Sequence, residues 1–139
     1  MEQIAIASGA LAHIRRAAAR TPDREVCGLL LGDGGGIGQA SDATNVASDP
    51  TRYFEIDPAA LFAALRAERG GGAPLLGWWH SHPCGSAMPS TTDAGAADPD
   101  GRLWIIVAGA EVSAWRAVAG GLLHDRFDPV ELVAQSDRR

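Results

Sequence analysis

The sequence predicts an α/β fold in which a mixed central β-sheet is flanked by helices. Three observations predict it. Strand-like and helix-like stretches follow one another along the chain, with turn residues between them. Two of the strand-like runs, residues 28–31 and 74–79, are apolar at successive positions, as suits strands covered on both faces. The chain has 139 residues, 46% hydrophobic and 21% charged, which suits one domain over residues 1–139 with a single sizeable core.

The elements follow in order. Residues 3–7 alternate weakly and give a short strand. Ser8 is placed to cap a helix over residues 9–20, with Leu11, Ile14 and Ala18 on one stripe, and Thr21-Pro22-Asp23 ends it. His13 on that helix has no evident partner and is expected to be solvated or capping. Residues 25–32 form a central strand, and Gly28 within it allows a close approach or a bulge. Asp33-Gly34-Gly35-Gly36 is a hairpin turn into a weak strand over 37–46. No Gly-Lys-Ser/Thr follows those glycines, so they are not a phosphate loop. After a turn at 47–50, residues 52–56 look like another strand. Asp57-Pro58 opens a helix to about residue 69, with Leu61, Phe62 and Leu65 as its buried face. Gly70-Gly71-Gly72 leads to the apolar strand 74–79. Three strands close the chain, at 103–108, 112–118 and 122–127, with Gly120-Gly121 as the turn between the last two. His124 lies in the last strand as a structural histidine, and residues 135–139 form a frayed polar tail.

Composition removes several function classes. A net charge of −5 leaves no basic footprint for nucleic acid or anionic lipid and weakly favours a basic partner surface. No stretch reaches the roughly 20 apolar residues of a membrane span, and the N-terminus lacks a secretory pattern. With two cysteines, Cys27 and Cys84, neither a disulfide framework nor a zinc site of paired Cys-x-x-Cys motifs can be built. A cytoplasmic protein with reduced thiols is the expectation.

The chemistry concentrates at the end of strand 74–79. His80-Ser81-His82-Pro83 is followed, after six residues, by Ser90-Thr91-Thr92-Asp93. Residues two apart share a strand face, so His80 and His82 point the same way and Ser81 the other. Pro83 stops the strand. Ser90 and Asp93 are three apart, hence on one side of a helical turn. Two imidazoles and a carboxylate with one position left over is the plan of a catalytic zinc site. Each half has a plainer reading: hydrogen-bonded strand histidines, and a helix cap with Asp93 near the positive helix end.

His-Ser-His-Pro, six residues, Ser-x-x-Asp resembles the motif of the JAMM (MPN+) metallopeptidases at each defining position. The resemblance covers about residues 1–127 and implies an MPN-type fold akin to the cytidine-deaminase architecture. It implies one Zn2+ on His80, His82 and Asp93, Glu25 as catalytic acid/base ahead of a Gly-Leu-Leu-like strand, and Ser90 as donor to the oxyanion. It further implies cleavage after the Gly-Gly terminus of a ubiquitin-like protein. That protein is either a modifier removed from conjugates or a ThiS/MoaD-type sulfur carrier being trimmed. Such a tail could add to a strand edge beside the site. The short links at 32–51 and 84–89 make this a minimal member, of the bacterial kind. Many MPN domains are metal-free binding scaffolds, but this chain keeps every ligand plus Glu25 and Ser90. A zinc deaminase would need His-x-Glu and Pro-Cys-x-x-Cys, and Pro83-Cys84 has no second cysteine. A homodimer through an exposed Trp face is a further expectation.

Overall fold

A computed structural model describes residues 1–83 and 85–136. Cys84 and residues 137–139 lie outside the described residues, and with them the expectations for that thiol and for the end of the tail. The elements are β1 (Glu2–Ala7), α1 (Ser8–Arg20), β2 (Cys27–Asp33), β3 (Gly36–Ala43), α2 (Pro58–Arg69), β4 (Leu75–Ser81), α3 (Thr91–Ala96), β5 (Leu103–Ala108), β6 (Glu111–Gly121) and β7 (Asp125–Gln135). The sheet is mixed, as expected, but it does not stay open. It closes in the order β1-β3-β2-β4-β5-β6-β7 because β1 pairs in parallel with both β7 and β3. The β1–β7 ladder runs from Glu2↔Val130 to Ala7↔Gln135, whereas β1 meets β3 at the single pair Ile6↔Ile37.

Alternation along β4 and β5 builds a core on each face of the sheet. Trp79, Leu103, Ile105 and Val107 face α1 and pack with its Ala10, Ile14 and Ala17. Trp104, Ile106, Phe127 and half-buried Trp78 pack on the other face, under Phe54, Ala87 and Ala94. Every residue of β5 is buried, which is why that strand reads as an unbroken apolar run. Gly28 serves a close approach: the Trp79 indole crosses it to donate from Nε1 to Ser41 O at 3.1 Å, and a Cβ at residue 28 would collide with the indole.

Five local expectations are corrected. Ser8 is the first helical residue and Ala7 the N-cap, with no side-chain cap bond. Residues 52–56 form no strand, because their polar groups are taken by the facing turn. Val46 N donates to Glu55 O at 2.9 Å, Asn45 Nδ2 to Tyr53 O at 3.0 Å, and Glu55 N to Asn45 Oδ1 at 3.0 Å. Only the isolated bridge Asn45↔Ile56 remains. The Asp57 cap is as expected, accepting from Ala59 N at 3.1 Å, but Phe62 is 59% exposed, since it sits about 100° around the helix from Leu61. Gly120-Gly121 is not the turn: the register with β7 shifts between Ala117 and Gly121, and the hairpin closes further on, where Arg126 N donates to Leu123 O at 3.0 Å around His124-Asp125. His13 has a partner, Asp42 Oδ1 at 2.7 Å from its Nε2. Of the four tryptophans, Trp79, Trp104 and Trp115 are buried and Trp78 is half-buried.

Candidate metal centre

His80 is the sixth residue of β4 and is 1% exposed. Its ring is stacked on Phe54, centroids 4.1 Å apart at 17°, with the Trp104 edge 5.7 Å away. His82 follows the strand, and its Nδ1 lies 2.8 Å from Ser86 O. A carbonyl can only accept, so Nδ1 carries the proton and a neutral His82 presents the Nε2 lone pair. Asp93 is the third residue of α3 and is 6% exposed. Ser90 Oγ accepts from Asp93 N at 3.0 Å and Asp93 Oδ2 accepts from Ser90 N at 2.9 Å, a capping box. The helix-cap geometry and the converging carboxylate are therefore one arrangement.

Three side chains converge through four atoms, each imidazole facing a different oxygen of Asp93. His80 Nε2 stands 3.2 Å from His82 Nε2 and 3.3 Å from Asp93 Oδ1, and His82 Nε2 stands 3.2 Å from Asp93 Oδ2. Tetrahedral zinc with arms of about 2.0–2.1 Å separates its ligand atoms by about 3.3 Å. The donor set and its spacing fit such an ion.

The electrostatics agree with a site built for positive charge. Burial lowers the His80 pKa, and the nearby Asp93 only partly offsets it. Burial also pulls His82 down, but its bonds to Asp93 and Ser86 outweigh that and the net shift is upward. Burial alone would raise Asp93; its bonds to both imidazoles, the His80 charge and the Ser90 N–H hold it far below the usual carboxylate range.

Glu25 lies in the segment before β2 and is 6% exposed. Its Oε1 is buried and has no hydrogen-bond partner among the described residues. Burial pushes the Glu25 carboxyl up to about 7, with His82 lowering it and Asp93 raising it. The backbone here is clamped. Glu25 N donates to Pro50 O at 2.7 Å, Asn45 Nδ2 donates to Glu25 O at 2.9 Å, and Ser81 holds Val26 twice. Ser81 N donates to Val26 O at 2.9 Å, and Ser81 Oγ accepts from Val26 N at 3.0 Å. Ser81, on the face away from the histidines, thus ties the Glu25 segment to the strand that carries them.

The structure brings His80, His82 and Asp93 together, sets Glu25 within their electrostatic reach, and leaves Ser90 exposed at the helix start. Sequence reasoning missed Phe54, which had been given to a strand, and the Ser81 clamp, which strand alternation could have suggested. β4 itself offers no free edge, because it is paired with both β2 and β5, whereas β3 pairs with β1 at Ile37 alone among the described residues. A groove of about 400 Å³ lies beside the centre instead, floored by Phe54, Ile56, Leu61, Leu65, Trp78 and Trp104. Cys27, opposite His80 in the β2–β4 ladder, is no rival nucleophile: burial first, then the Glu25 and Asp42 charges, push its thiol up to about 12.

Comparison with known proteins gives the following. Residues 7–118 match a family described as prokaryotic homologs of the JAB domain. The chain is 37% identical over 98 residues to a protein named desampylase from Haloferax volcanii, a match spanning 69% of this chain and 70% of that one. It is 45% identical over 49 residues to a probable TtuB-protein conjugate cleaving protease from Thermus thermophilus, spanning 35% of this chain and 33% of that one. A crystal structure of a JAB1/MPN domain protein from Archaeoglobus fulgidus is similar in fold, with a TM-score of 0.61 at 20% identity, covering 96% of this chain and 100% of that one.

Proposed function

The chain belongs to the family of prokaryotic homologs of the JAB domain, and from that premise we propose that it is a zinc-dependent isopeptidase releasing a ubiquitin-like modifier from protein conjugates. Cleavage falls after the modifier's C-terminal Gly-Gly. One observation carries the reading: the spacing of His80 Nε2, His82 Nε2 and Asp93 suits a tetrahedral ion, with a buried, unpartnered Glu25 oxygen beside them. The names of the relatives, a desampylase and a probable conjugate cleaving protease, favour conjugates over a linear precursor.

His80, His82 and Asp93 are the residues that would hold zinc. Zinc bound there would supply Lewis-acid chemistry, making water a nucleophile near neutral pH and polarising the scissile carbonyl. Glu25 takes the proton from the attacking water and later gives it to the leaving lysine amine. Burial raises the Glu25 carboxyl in the metal-free protein, and a group whose pKa lies near the working pH serves best for taking and returning a proton. The Ser90 hydroxyl oxygen accepts from Asp93 N, so its own O–H is left to donate to the oxyanion. The Ser81 clamp keeps Glu25 in register with both imidazoles. A metal-free scaffold would have no use for this set, and a buried carboxylate without a partner would only cost it stability.

The test is a ubiquitin-like protein of the same organism, joined through Gly-Gly to a lysine or extended by a short peptide, with mass spectrometry reading the new terminus. Metal-dependent release at the isopeptide bond is expected. Cleavage of the linear extension alone would turn the reading to carrier trimming, and no cleavage by zinc-loaded enzyme would end it.

A further inference from the structure

Residues 85–90 connect the His82 end of β4 to α3 without any strand partner, yet three of their carbonyls are held by side chains. Ser86 O lies 2.8 Å from His82 Nδ1. Ala87 O accepts from the Ser113 hydroxyl of β6, which in turn accepts from Trp115 Nε1 at 2.8 Å. Pro89 O, adjacent to Ser90, is 3.0 Å from His124 Nε2. A carbonyl only accepts, so Nε2 is the protonated nitrogen, and the bond persists whether the ring is neutral or charged.

His124 reaches Pro89 from the turn between β6 and β7, and it does so in an unusual backbone state. His124 and Asp125 both have positive φ, 53° and 58°. Two consecutive left-handed residues in a tight hairpin turn are ordinarily Asn-Gly or Gly-Gly, because any Cβ is disfavoured there. His and Asp are among the side chains that tolerate this region. At residue 124 the tolerated side chain also reaches Pro89 O, which glycine could not do.

The geometry points to His124 as a positioning residue for Ser90: by fixing the Pro89 carbonyl it sets the peptide preceding Ser90 and so aims the Ser90 hydroxyl. This rests on the reading of Ser90 as the oxyanion donor. Ser90 is exposed and heads a helix of only six residues, so the orientation of that short helix depends on how its entry is held. A donor displaced by about 1 Å can cost a reaction as much as ~10²-fold.

His124→Gly separates the two roles, because it relieves the positive φ while removing the imidazole. A residue that merely shapes the turn predicts unchanged kinetics and equal or higher Tm. The positioning role predicts kcat reduced about tenfold or more, KM within about twofold, unchanged zinc content and no loss of Tm. His124→Gln, which offers a side-chain N–H at similar reach, recovers most of kcat. Asp125→Gly relaxes the neighbouring residue without touching the bond and leaves kcat unchanged. On a Ser90→Ala background, His124→Gly adds little further loss, since the two act through one hydroxyl. If His124→Gly does not fold, His124→Asn keeps the left-handed backbone while falling short of Pro89, and it should show the same loss. Normal kcat in the folded variant, with Ser90→Ala slow, overturns the inference and leaves the proposed function standing. Normal kcat in Ser90→Ala removes the oxyanion role and this inference together.

Discussion

Asp93 Oδ2 is shared between Ser90 and His82: it accepts from the Ser90 N–H at 2.9 Å and stands 3.2 Å from His82 Nε2. The bond that starts α3 therefore also points a carboxylate at both imidazoles. The capping box and the converging carboxylate belong to one side chain, so the start of α3 helps to orient it. A preorganised site of this kind should bind its metal with little rearrangement.

One zinc per chain is expected, with ligand distances of about 2.0–2.2 Å. His80→Ala and Asp93→Ala should each lose the ion on dialysis, and elemental analysis of the purified variants checks it. Full zinc stoichiometry in either variant would exclude that residue as a ligand.

Glu25→Gln should keep zinc and fold while losing about 10²–10⁴ in kcat. In metal-free protein the same residue has a pH signature. Between the ordinary carboxyl value of 4.5 and about 7, the folded state holds a proton that the unfolded chain has released. Stability attributable to Glu25 thus falls as pH rises through that window, and the penalty is complete above it. Urea titrations across that range should show Glu25→Gln gaining on the wild type with rising pH, the gap levelling off above about pH 7. A gap that stays constant would mean that the carboxyl is not buried in solution.

Ser90→Ala should show two separable effects. Losing the cap costs about 1 kcal/mol of stability. Losing the oxyanion donor lowers kcat by about 10²–10³ with little change in KM. Denaturation and steady-state kinetics on one preparation measure both; a stability loss with normal kcat would leave Ser90 as a cap alone.

Phe54→Ala tests the stacked ring over His80. Removing a half-buried Phe is expected to destabilise by about 2 kcal/mol, less than the cost in a full core. Opening one face of His80 to water should weaken zinc about tenfold or more, in the range of other supporting contacts to ligands. Competition with a chromophoric chelator gives the affinity, and an unchanged value would show that the stack only packs.

Much of this was legible locally. The Asp57-Pro58 helix start, the strand at 103–108, the hairpin at Gly34-Gly35 and the His-x-His face follow from short-range rules of capping, alternation and turn chemistry. What escaped depends on distant partners. Residues 52–56 have strand composition, but Asn45 and Val46 occupy their polar groups. Gly120-Gly121 looked like a turn because glycine permits one, but the register with β7 shifts there and the hairpin closes further on. Glu25 carries no local sign of burial, and the role proposed for it rests on the family resemblance. Closure of the sheet depends on β1 meeting β7, which no periodicity within either strand reveals.

That closure also orders the assembly of the protein. Gln3 and Glu131, joined side chain to side chain across the β1–β7 seam, are 128 residues apart in the chain. By contrast, β2, β3, β4 and β5, with the three converging donor side chains, lie within residues 27–108. Contacts between remote segments carry a larger loop-closure cost and tend to form late. On a growing chain, His80, His82 and Asp93 can meet before β7 exists, while the grip of His124 on Pro89 has to wait for it. Chain separation alone therefore predicts that the His80, His82 and Asp93 cluster forms before the contact that holds Pro89 beside Ser90.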